Sequence, residues 1–353
     1  MKNQTTDEYI KIELDADGRI ISVSEKLIET NEKNKTWRNK KVRNQLYAKS
    51  LERIKLKKKQ RFKISKKTIN RIADCAGVLA FSVSDEGQSL HQAFLCRNRY
   101  CPICSWLSSR KLAADNYKIL NKFISEDDDN RLIFLTLTIR NCNGVDLKAT
   151  INRLNAGFRN LRKRKLYQAN FLGDLRALEI TVNKNNLTFH PHLHVILGCK
   201  KDYFSKHNPY YINAPEWAKM WAECIKQDKA IIDVRKVKDK EIGNATAEIS
   251  KYVTKDSDYL LFKKTAGKVV LDSEKTDYII YHLINQTKGL RFINYAGVFR
   301  NIKRELKIKN IEDYDESDLI EEDTNVSVNS RLILLYRWNY GVHDYTFFDF
   351  YKQ

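Results

Sequence analysis

The amino-acid sequence predicts an α+β fold, in which an antiparallel β-sheet carries helices packed on one side. Stretches such as "RLIFLTLTIRN" and "HLHVILG" have the residue types and the alternation of β-strands. Longer stretches with apolar residues at helical spacing separate them, and this order of elements is typical of α+β domains. A basic, helical and Cys-rich region precedes the predicted sheet. The sequence therefore predicts a sheet-forming domain with a basic region before it.

The elements follow in order along the chain. Good helix formers without Pro or Gly predict a helix over 36–75, and a second helix over 107–124 follows a Cys-rich turn. The next elements are predicted from their apolar spacing. They are a strand at 131–141, a basic amphipathic helix at 147–168, strands at 175–182 and 192–198, a helix at 214–226, a strand at 230–237 and a helix at 245–260.

Length and composition exclude several classes of protein. A chain of 353 residues can bury one large core or two smaller ones. No apolar run approaches the roughly 18 residues that span a bilayer, and the N-terminus lacks the apolar core of a signal peptide. We therefore expect a cytoplasmic protein without a membrane partner, whose seven cysteines stay reduced or bind metal.

The charge of the chain favours a nucleic-acid partner. The formal net charge is +20, and residues 31–70 hold 16 basic against two acidic residues. A second basic cluster, "FRNLRKRK", covers 158–165. Such clusters attract phosphates, although a solvated helix face is the alternative for either one. The predicted DNA contacts are Lys57, Lys58 and Lys59 in the first cluster and Arg159, Arg162, Lys163 and Arg164 in the second.

Three histidines alternate along one predicted strand, at His190, His192 and His194, and so share one face. If the preceding turn is Asn185–Asn186, antiparallel pairing places Glu179 opposite His192. Two imidazoles and a carboxylate would suit Mg²⁺, Mn²⁺ or a related divalent ion. We expect His190 to support the ligands or to contact DNA. The alternative is a set of ordinary packed or exposed strand histidines.

The predicted helix at 245–260 carries Glu248, Tyr252 and Lys255 on one face, at i, i+4 and i+7. A tyrosine can act as a covalent nucleophile, but its pKa of about 10 means that it needs help at neutral pH. The Lys255 ammonium would favour the phenolate, and Glu248 could accept a proton or hold a water. The alternative is ordinary helix packing, because such spacings are common.

Four cysteines have the spacing of a metal site. Cys96, Cys101 and Cys104 form C-x4-C-x2-C, and Cys75 precedes them by about twenty residues. Four thiolates from two loops predict a closed, tetrahedral structural zinc site. The alternative is a set of buried free cysteines. The isolated residues Cys142, Cys199 and Cys224 are expected to be packing residues.

Several of these motifs together carry a family resemblance. "FLTLT" (134–138), "HPHLHVILG" (190–198) and "EISKYVTKDSDYL" (248–260) resemble, in order and spacing, three motifs of plasmid rolling-circle replication initiators. These are the single-tyrosine Rep proteins of the HUH endonuclease superfamily. "LRALEIT" (175–181) and "CRNRYCPICSW" (96–106) are also similar to blocks of that family. The resemblance covers roughly residues 37–300, and it implies an HUH-type sheet with a ferredoxin/RRM-like core.

The resemblance also implies an activity and the residues that perform it. His192 and His194 correspond to the paired metal-binding histidines, and Glu179 to an acidic position upstream of them. Tyr252 corresponds to the nicking tyrosine, Lys255 to the lysine three residues later, and Glu248 to a glutamate that activates water for the terminating cleavage. The family nicks origin DNA by a metal-dependent tyrosine transesterification and becomes linked to the 5′ phosphate.

The resemblance further implies partners, location and domain limits. The partners would be a plasmid double-strand origin with a hairpin or single-stranded nick site, a host helicase and a DNA polymerase, in the bacterial cytoplasm. We expect a flexible N-terminus over 1–30, a basic Cys-rich DNA-binding region over 31–125, the HUH endonuclease domain over 126–305 and an acidic, aromatic tail over 306–353.

Two departures and two alternatives accompany this resemblance. The tail beyond about 310 matches nothing in the family pattern, and Leu107 and Ser108 stand where basic residues are expected. A single-tyrosine transposase or a conjugative relaxase would share the histidine pair. However, relaxases place the tyrosine before the histidines, and such transposases are shorter. The other alternative is a zinc-stabilised, non-catalytic DNA-binding regulator.

Overall fold

A computed structural model describes residues 37–58, 61–84, 87–251, 255–320 and 332–352, together with two short strands near the N-terminus. Most of the segment 1–30, Lys59 and Tyr252 lie outside the described residues. Among the described residues, no helix combines the length and the apolar character needed to cross a bilayer.

The described secondary structure consists of helices and antiparallel strands, which confirms the predicted α+β class. The helices are α1 (Trp37–Lys58), α2 (Lys66–Ala73), α3 (Pro102–Ser125), α4 (Leu147–Leu161), α5 (Lys165–Asn170), α6 (Ala214–Ile225), α7 (Ile242–Ile249), α8 (Asp256–Tyr259), α9 (Ser273–Thr287), α10 (Val298–Glu305) and α11 (Glu316–Leu319). The strands are β1 (Glu13–Leu14), β2 (Ile20–Ser22), β3 (Val78–Ser84), β4 (Gly87–Ala93), β5 (Asn130–Thr138), β6 (Phe171–Asn183), β7 (Thr188–Lys200), β8 (Ile232–Val237), β9 (Phe262–Thr265), β10 (Lys268–Leu271), β11 (Ile293–Gly297), β12 (Leu332–Asn339) and β13 (Asp344–Lys352).

Two predicted helices are each divided in two. The prediction over 36–75 becomes α1 and α2, because Ser65 begins a new helix by accepting a hydrogen bond from the Thr68 amide at 3.1 Å. The prediction over 147–168 becomes α4 and α5, with residues 162–164 between them. In both cases the sequence identified helical segments, but it did not identify the break between them.

The chain divides into two compact units. Unit 1 consists of residues 1–52, 64–107 and 314–353, and it contains a sheet with the strand order β13-β12-β3-β4. The aromatic C-terminal segment supplies two of these strands, and Tyr345 donates a hydrogen bond to the Ala76 carbonyl at 2.7 Å. β12 and β13 of the tail are therefore part of the unit 1 sheet.

Unit 2 consists of residues 53–63 and 108–313, and it contains a five-stranded antiparallel sheet in the order β11-β6-β7-β5-β8. The hairpin between β6 and β7 closes with the pair Asn183 and Thr188. Its turn is centred on the predicted Asn185–Asn186 pair but has four residues, and Leu187 has a φ of 56°. Because the turn is centred where it was predicted, the strand pairing places Glu179 opposite His192, as expected.

Helices cover both faces of the unit 2 sheet, so the prediction that they pack on one side is wrong. On the face that carries His194, the residues Phe134 and Ile196 pack with α3, α7 and α10. On the opposite face, the Arg176 guanidinium lies 5.2 Å from the centroid of Phe158 on α4. The physical reason is that the central strands are apolar on both faces, as the "VILG" run after the histidines shows.

Candidate functional site

Glu179, His192 and His194 converge on one face of the unit 2 sheet. The strand register pairs Glu179 with His192, as the hairpin predicted, and pairs His194 with both Ala177 and Thr136. The Nε2 atom of His194 lies 2.9 Å from Glu179 Oε2, and the Nε2 atom of His192 lies 3.4 Å from the same oxygen. The predicted metal ligands are therefore close neighbours.

Hydrogen bonds orient both imidazoles. His192 Nδ1 lies 3.2 Å from the His190 carbonyl oxygen, and His194 Nδ1 lies 3.2 Å from Thr136 Oγ1. When each Nδ1–H donates to its oxygen, the Nε2 lone pairs point toward Glu179 and are available to a metal. Adjacent ligands of an ion bound at about 2.1 Å are about 3 Å apart. The observed separations fit a group of residues that could hold a divalent metal ion.

The electrostatics of the site keep the carboxylate ionised. Glu179, His192 and His194 are only 6%, 8% and 7% exposed. Burial raises the pKa of Glu179, but hydrogen bonds and electrostatic interactions with His192 and His194 outweigh burial and hold this pKa well below its usual range. Burial, assisted by His192, lowers the pKa of His190. An ionised carboxylate beside two imidazoles is a suitable donor set for a hard or borderline cation.

Arg235 on β8 connects this face of the sheet to α7, and the sequence reasoning did not identify it. Arg235 Nη2 donates to Glu248 Oε2 at 2.6 Å, and its guanidinium carbon lies 4.5 Å from the Phe134 centroid. The Phe134 ring is in turn 5.5 Å from the His194 ring. Glu248 therefore lies on the same face as the histidines. The only sequence signal for Arg235 was its place in a predicted strand.

The helix predicted over 245–260 is wrong, because α7 ends at Ile249. The Ser250 amide donates to Thr246 O at 3.0 Å, and Lys255 has an extended backbone before α8 begins at Asp256. Glu248 and Lys255 therefore do not share a helical face. One sequence feature favours a new helix at Asp256, because acidic residues suit the first turn of a helix.

The chain on both sides of Tyr252 packs on the sheet of unit 2. α7 contacts β7, and α8 contacts β6. Burial raises the pKa of Asp258 on α8, while Lys184 and Lys255 lower it and Glu179 contributes a further increase. Asp258 therefore interacts electrostatically with Glu179, one member of the triad Glu179, His192 and His194, and the sequence reasoning did not identify it.

The predicted DNA-contact residues differ in how free their charges are. Arg159 and Lys163 are exposed, whereas Arg162 pairs with Asp174 at 3.1 Å and Arg164 pairs with Glu223 at 2.9 Å. On α1, Lys57 lies 3.7 Å from Asp277, and the Lys58 ammonium is 5.6 Å from the Tyr281 centroid. His190 Nδ1 lies 2.8 Å from Asn141 Oδ1, and its ring stacks on His192. The second basic cluster begins in the last turn of α4 and continues beyond it, and α4 packs on the sheet face opposite the histidines.

The four predicted zinc ligands form a second buried group, in unit 1. Cys75 lies between α2 and β3, Cys96 follows β4, and Cys101 and Cys104 lie at the start of α3. All four thiols are free, and their sulfur atoms lie within 4.8 Å of one another. This group could also hold a metal ion. The remaining cysteines, Cys142, Cys199 and Cys224, are not part of it.

Comparison with known proteins assigns the family. Residues 87–346 match the profile of a family described as replication protein (Rep_1). The chain belongs to this family. Among curated Rep relatives, the "Protein rep" of Bacillus amyloliquefaciens is 34% identical over 89% of this chain and 94% of its own length. The "Protein rep" of Streptococcus pneumoniae serotype 2 is 31% identical over 78% of this chain and 83% of its own length. No solved structure matches the chain significantly. These findings confirm the resemblance to plasmid replication initiators. The expectation that the tail beyond about 310 matches nothing in the family is wrong, because the family match extends to residue 346.

Proposed function

We propose that this Rep protein starts rolling-circle replication of a plasmid by nicking one strand of the origin. The phenolate oxygen of Tyr252 attacks a DNA phosphorus atom, and the bond from phosphorus to the 3′ oxygen breaks. The 5′ phosphate becomes linked to Tyr252, while the departing 3′ oxygen takes a proton and leaves as a hydroxyl. The observation that supports this proposal is the convergence of Glu179, His192 and His194 in a member of the replication protein family.

The same three residues would hold the metal that this reaction needs. Their donor set and spacing suit Mg²⁺ or Mn²⁺, with His192 and His194 as nitrogen ligands and Glu179 as the oxygen ligand. When bound there, the ion would stabilise negative charge on the phosphate.

The residues around Tyr252 have supporting roles in this proposal. Glu248 holds or deprotonates the water that ends the cycle, and its bond to Arg235 fixes the orientation of the carboxylate. Lys255 stands three residues after Tyr252 and supplies positive charge for the phenolate. Because α7 ends at Ile249 and Lys255 directly precedes α8, Glu248 and Lys255 act from two separate elements and not from one helical face.

The fold supports an HUH-type catalytic domain over 126–305. The unit 2 sheet is antiparallel, and the histidine pair lies on its central strand β7, flanked by β5 and β6. We propose that the basic, Cys-rich region over 31–125 binds origin DNA, and that the residues over 306–353 complete that region through β12 and β13. A host helicase and a DNA polymerase would then act on the nicked origin.

A covalent-adduct assay tests the proposal. Full-length protein is incubated with Mn²⁺ and 3′-labelled single-stranded DNA tiled across the replicon that carries the gene. We expect a labelled adduct that survives denaturing electrophoresis and is absent from Tyr252→Phe. Tyr210→Phe is the matched control, since Tyr210 is 52% exposed and far along the chain from the motif. An undiminished adduct in Tyr252→Phe, or DNA retention without any adduct, would reject nicking by this residue and favour a non-catalytic regulator.

A further inference from the structure

The four clustered cysteines in unit 1 have the spacing of metal ligands. The sulfur of Cys75 lies 3.6 Å from that of Cys104 and 3.7 Å from that of Cys101, and the sulfurs of Cys96 and Cys104 are 3.7 Å apart. Four thiolates at the usual zinc–sulfur distance of about 2.3 Å form a tetrahedron with edges of about 3.8 Å. Three of the six sulfur–sulfur separations therefore match the edges of a zinc tetrahedron, and all six are within 4.8 Å.

We propose that Cys75, Cys96, Cys101 and Cys104 bind a structural zinc ion, and that the buried ammonium of Lys41 compensates the charge of this centre. This site is separate from the Glu179 triad and goes beyond the nicking reaction. Four protein ligands close a tetrahedral site, which leaves no position for a substrate. All four residues are buried, as a structural site requires.

The backbone around the ligands supports binding of thiolates. Ala76 and Arg97 each directly follow a cysteine and have φ values of 50° and 55°, a conformation that residues with a side chain rarely adopt. The turn after Cys96 brings the Asn98 amide within 3.4 Å of its sulfur, and the Cys96 amide lies 3.4 Å from the Cys75 sulfur. Such N–H groups stabilise negative charge on sulfur.

The start of α3 favours a thiolate at Cys101. This residue directly precedes the first helical residue, Pro102, so its sulfur lies at the positive end of the helix dipole. Asn44 Nδ2 also donates to Cys101 Sγ at 3.3 Å. The same sulfur therefore receives both a hydrogen bond from a side chain and the field of a helix.

Lys41 supplies the compensating charge. Four thiolates and one Zn²⁺ have a net charge of −2, which is costly to bury without a nearby cation. Lys41 is fully buried in α1, and its Nζ donates to Ala73 O at 2.8 Å and to Cys75 O at 2.6 Å. Burial lowers the pKa of Lys41, while negative charge at Cys75, Cys101, Asp74 and Cys96 opposes this shift. The same contacts connect α1 to the segment that carries the first ligand.

Metal analysis of the purified full-length protein tests the site. We expect about one zinc ion per chain, lost in Cys101→Ser and retained in both Cys199→Ser and His194→Ala. Cys199 is the matched control because it is equally buried but outside the group. Zinc retained in His194→Ala would show that the ion is not bound at Glu179, His192 and His194. Absence of zinc from the wild-type protein, or its loss in His194→Ala alone, would overturn the proposal.

Cobalt substitution provides a readout that does not depend on a folded variant. Wild-type protein reconstituted with Co²⁺ should show intense visible absorption and thiolate-to-metal charge transfer, which tetrahedral sulfur coordination produces. Weak absorption, or four thiols that remain freely titratable in the metal-loaded protein, would show that these cysteines are packing residues and would overturn the site.

A chelator competition tests the role of Lys41. We expect the zinc affinity of Lys41→Met to be lower by about 10-fold or more. Loss of a group that supports metal ligands typically has an effect of this size in other metal sites. Lys41→Gln keeps an N–H donor without the charge, and it replaces Lys41→Met in this test if that variant does not fold. Lys49→Met is the control, because Lys49 is exposed on the same helix. Unchanged zinc affinity in a folded Lys41 variant would overturn charge compensation and leave the cysteine site unaffected.

Discussion

The Arg235 guanidinium donates a 2.6 Å hydrogen bond to the Glu248 carboxylate, and this ion pair joins β8 to α7. Arg235 also pairs across the sheet with Phe134, whose ring contacts that of His194. The carboxylate proposed to activate water is therefore fixed on the face of the sheet that carries Glu179, His192 and His194.

Loss of the Glu248 carboxylate should separate nicking from the terminating reaction. In Glu248→Gln we expect adduct formation to continue while hydrolytic release slows by about 100-fold, the usual contribution of a general base. Arg235→Ala should slow release less, because the carboxylate remains but is less well oriented. The measurement is the rate of adduct decay. Glu126→Gln serves as a surface control, and equal decay in Glu248→Gln and the wild type would exclude this role.

The two histidines that face Glu179 should matter more for nicking than their neighbour. We expect His194→Ala to reduce the nicking rate by about 100-fold or more, because it removes a metal ligand. His190→Ala should retain most activity, since its ring nitrogen pairs with Asn141 and not with Glu179. Initial nicking rates at saturating Mn²⁺ check this order. Equal losses in both variants would contradict the assignment of ligands.

Nicking should depend on a removable divalent ion. Chelation should abolish adduct formation, and Mn²⁺ should restore it. Glu179→Gln should raise the Mn²⁺ concentration needed for half-maximal activity by about 10-fold or more, because a neutral amide is a weaker ligand than a carboxylate. A titration of adduct yield against Mn²⁺ measures this change. Full activity in chelator would refute a catalytic metal.

DNA affinity should depend on the unpaired charges of the second basic cluster. Replacement of both Arg159 and Lys163 by Ala should reduce the slope of log affinity against log salt by about 1.8 for duplex DNA, roughly 0.9 for each phosphate contact. Arg164→Ala should change the slope less, since Glu223 already pairs with that guanidinium. Equilibrium binding at several salt concentrations checks the prediction, and identical slopes in all proteins would exclude this cluster from the interface.

The packing of the unit 2 sheet against α3 and α10 should not tolerate an added methyl group at Gly198. A Cβ atom there would lie 2.9 Å from Phe123 and 3.1 Å from Phe299. Gly198→Ala should therefore lower the free energy of unfolding by about 1–3 kcal/mol through overpacking. Gly243→Ala is the control, because a Cβ there meets nothing within 4 Å. Thermal unfolding of both variants checks this, and an unchanged midpoint in Gly198→Ala would contradict the packing.

Local patterns in the sequence determined the centre of the candidate site. The alternation of residues along β7 and a turn centred on Asn185–Asn186 were sufficient to predict that Glu179 faces His192. The spacing of the four cysteines predicted their cluster, and the order of the motifs predicted the family. These features depend on neighbouring residues or on a single hairpin, where strand period and turn position define the geometry. The nucleophilic role of Tyr252 stays a prediction.

Only the tertiary structure decided which distant segments meet. β12 pairs with β3 across more than 240 residues, helices cover both faces of the sheet, Arg235 reaches Glu248, and Lys41 lies beside the cysteines. It also decided that α7 ends at Ile249, although the spacing of Glu248, Tyr252 and Lys255 had predicted one continuous helix. The physical reason is that such contacts depend on the burial of whole faces against each other. That burial is a property of the packed core and overrides the preference of any short segment.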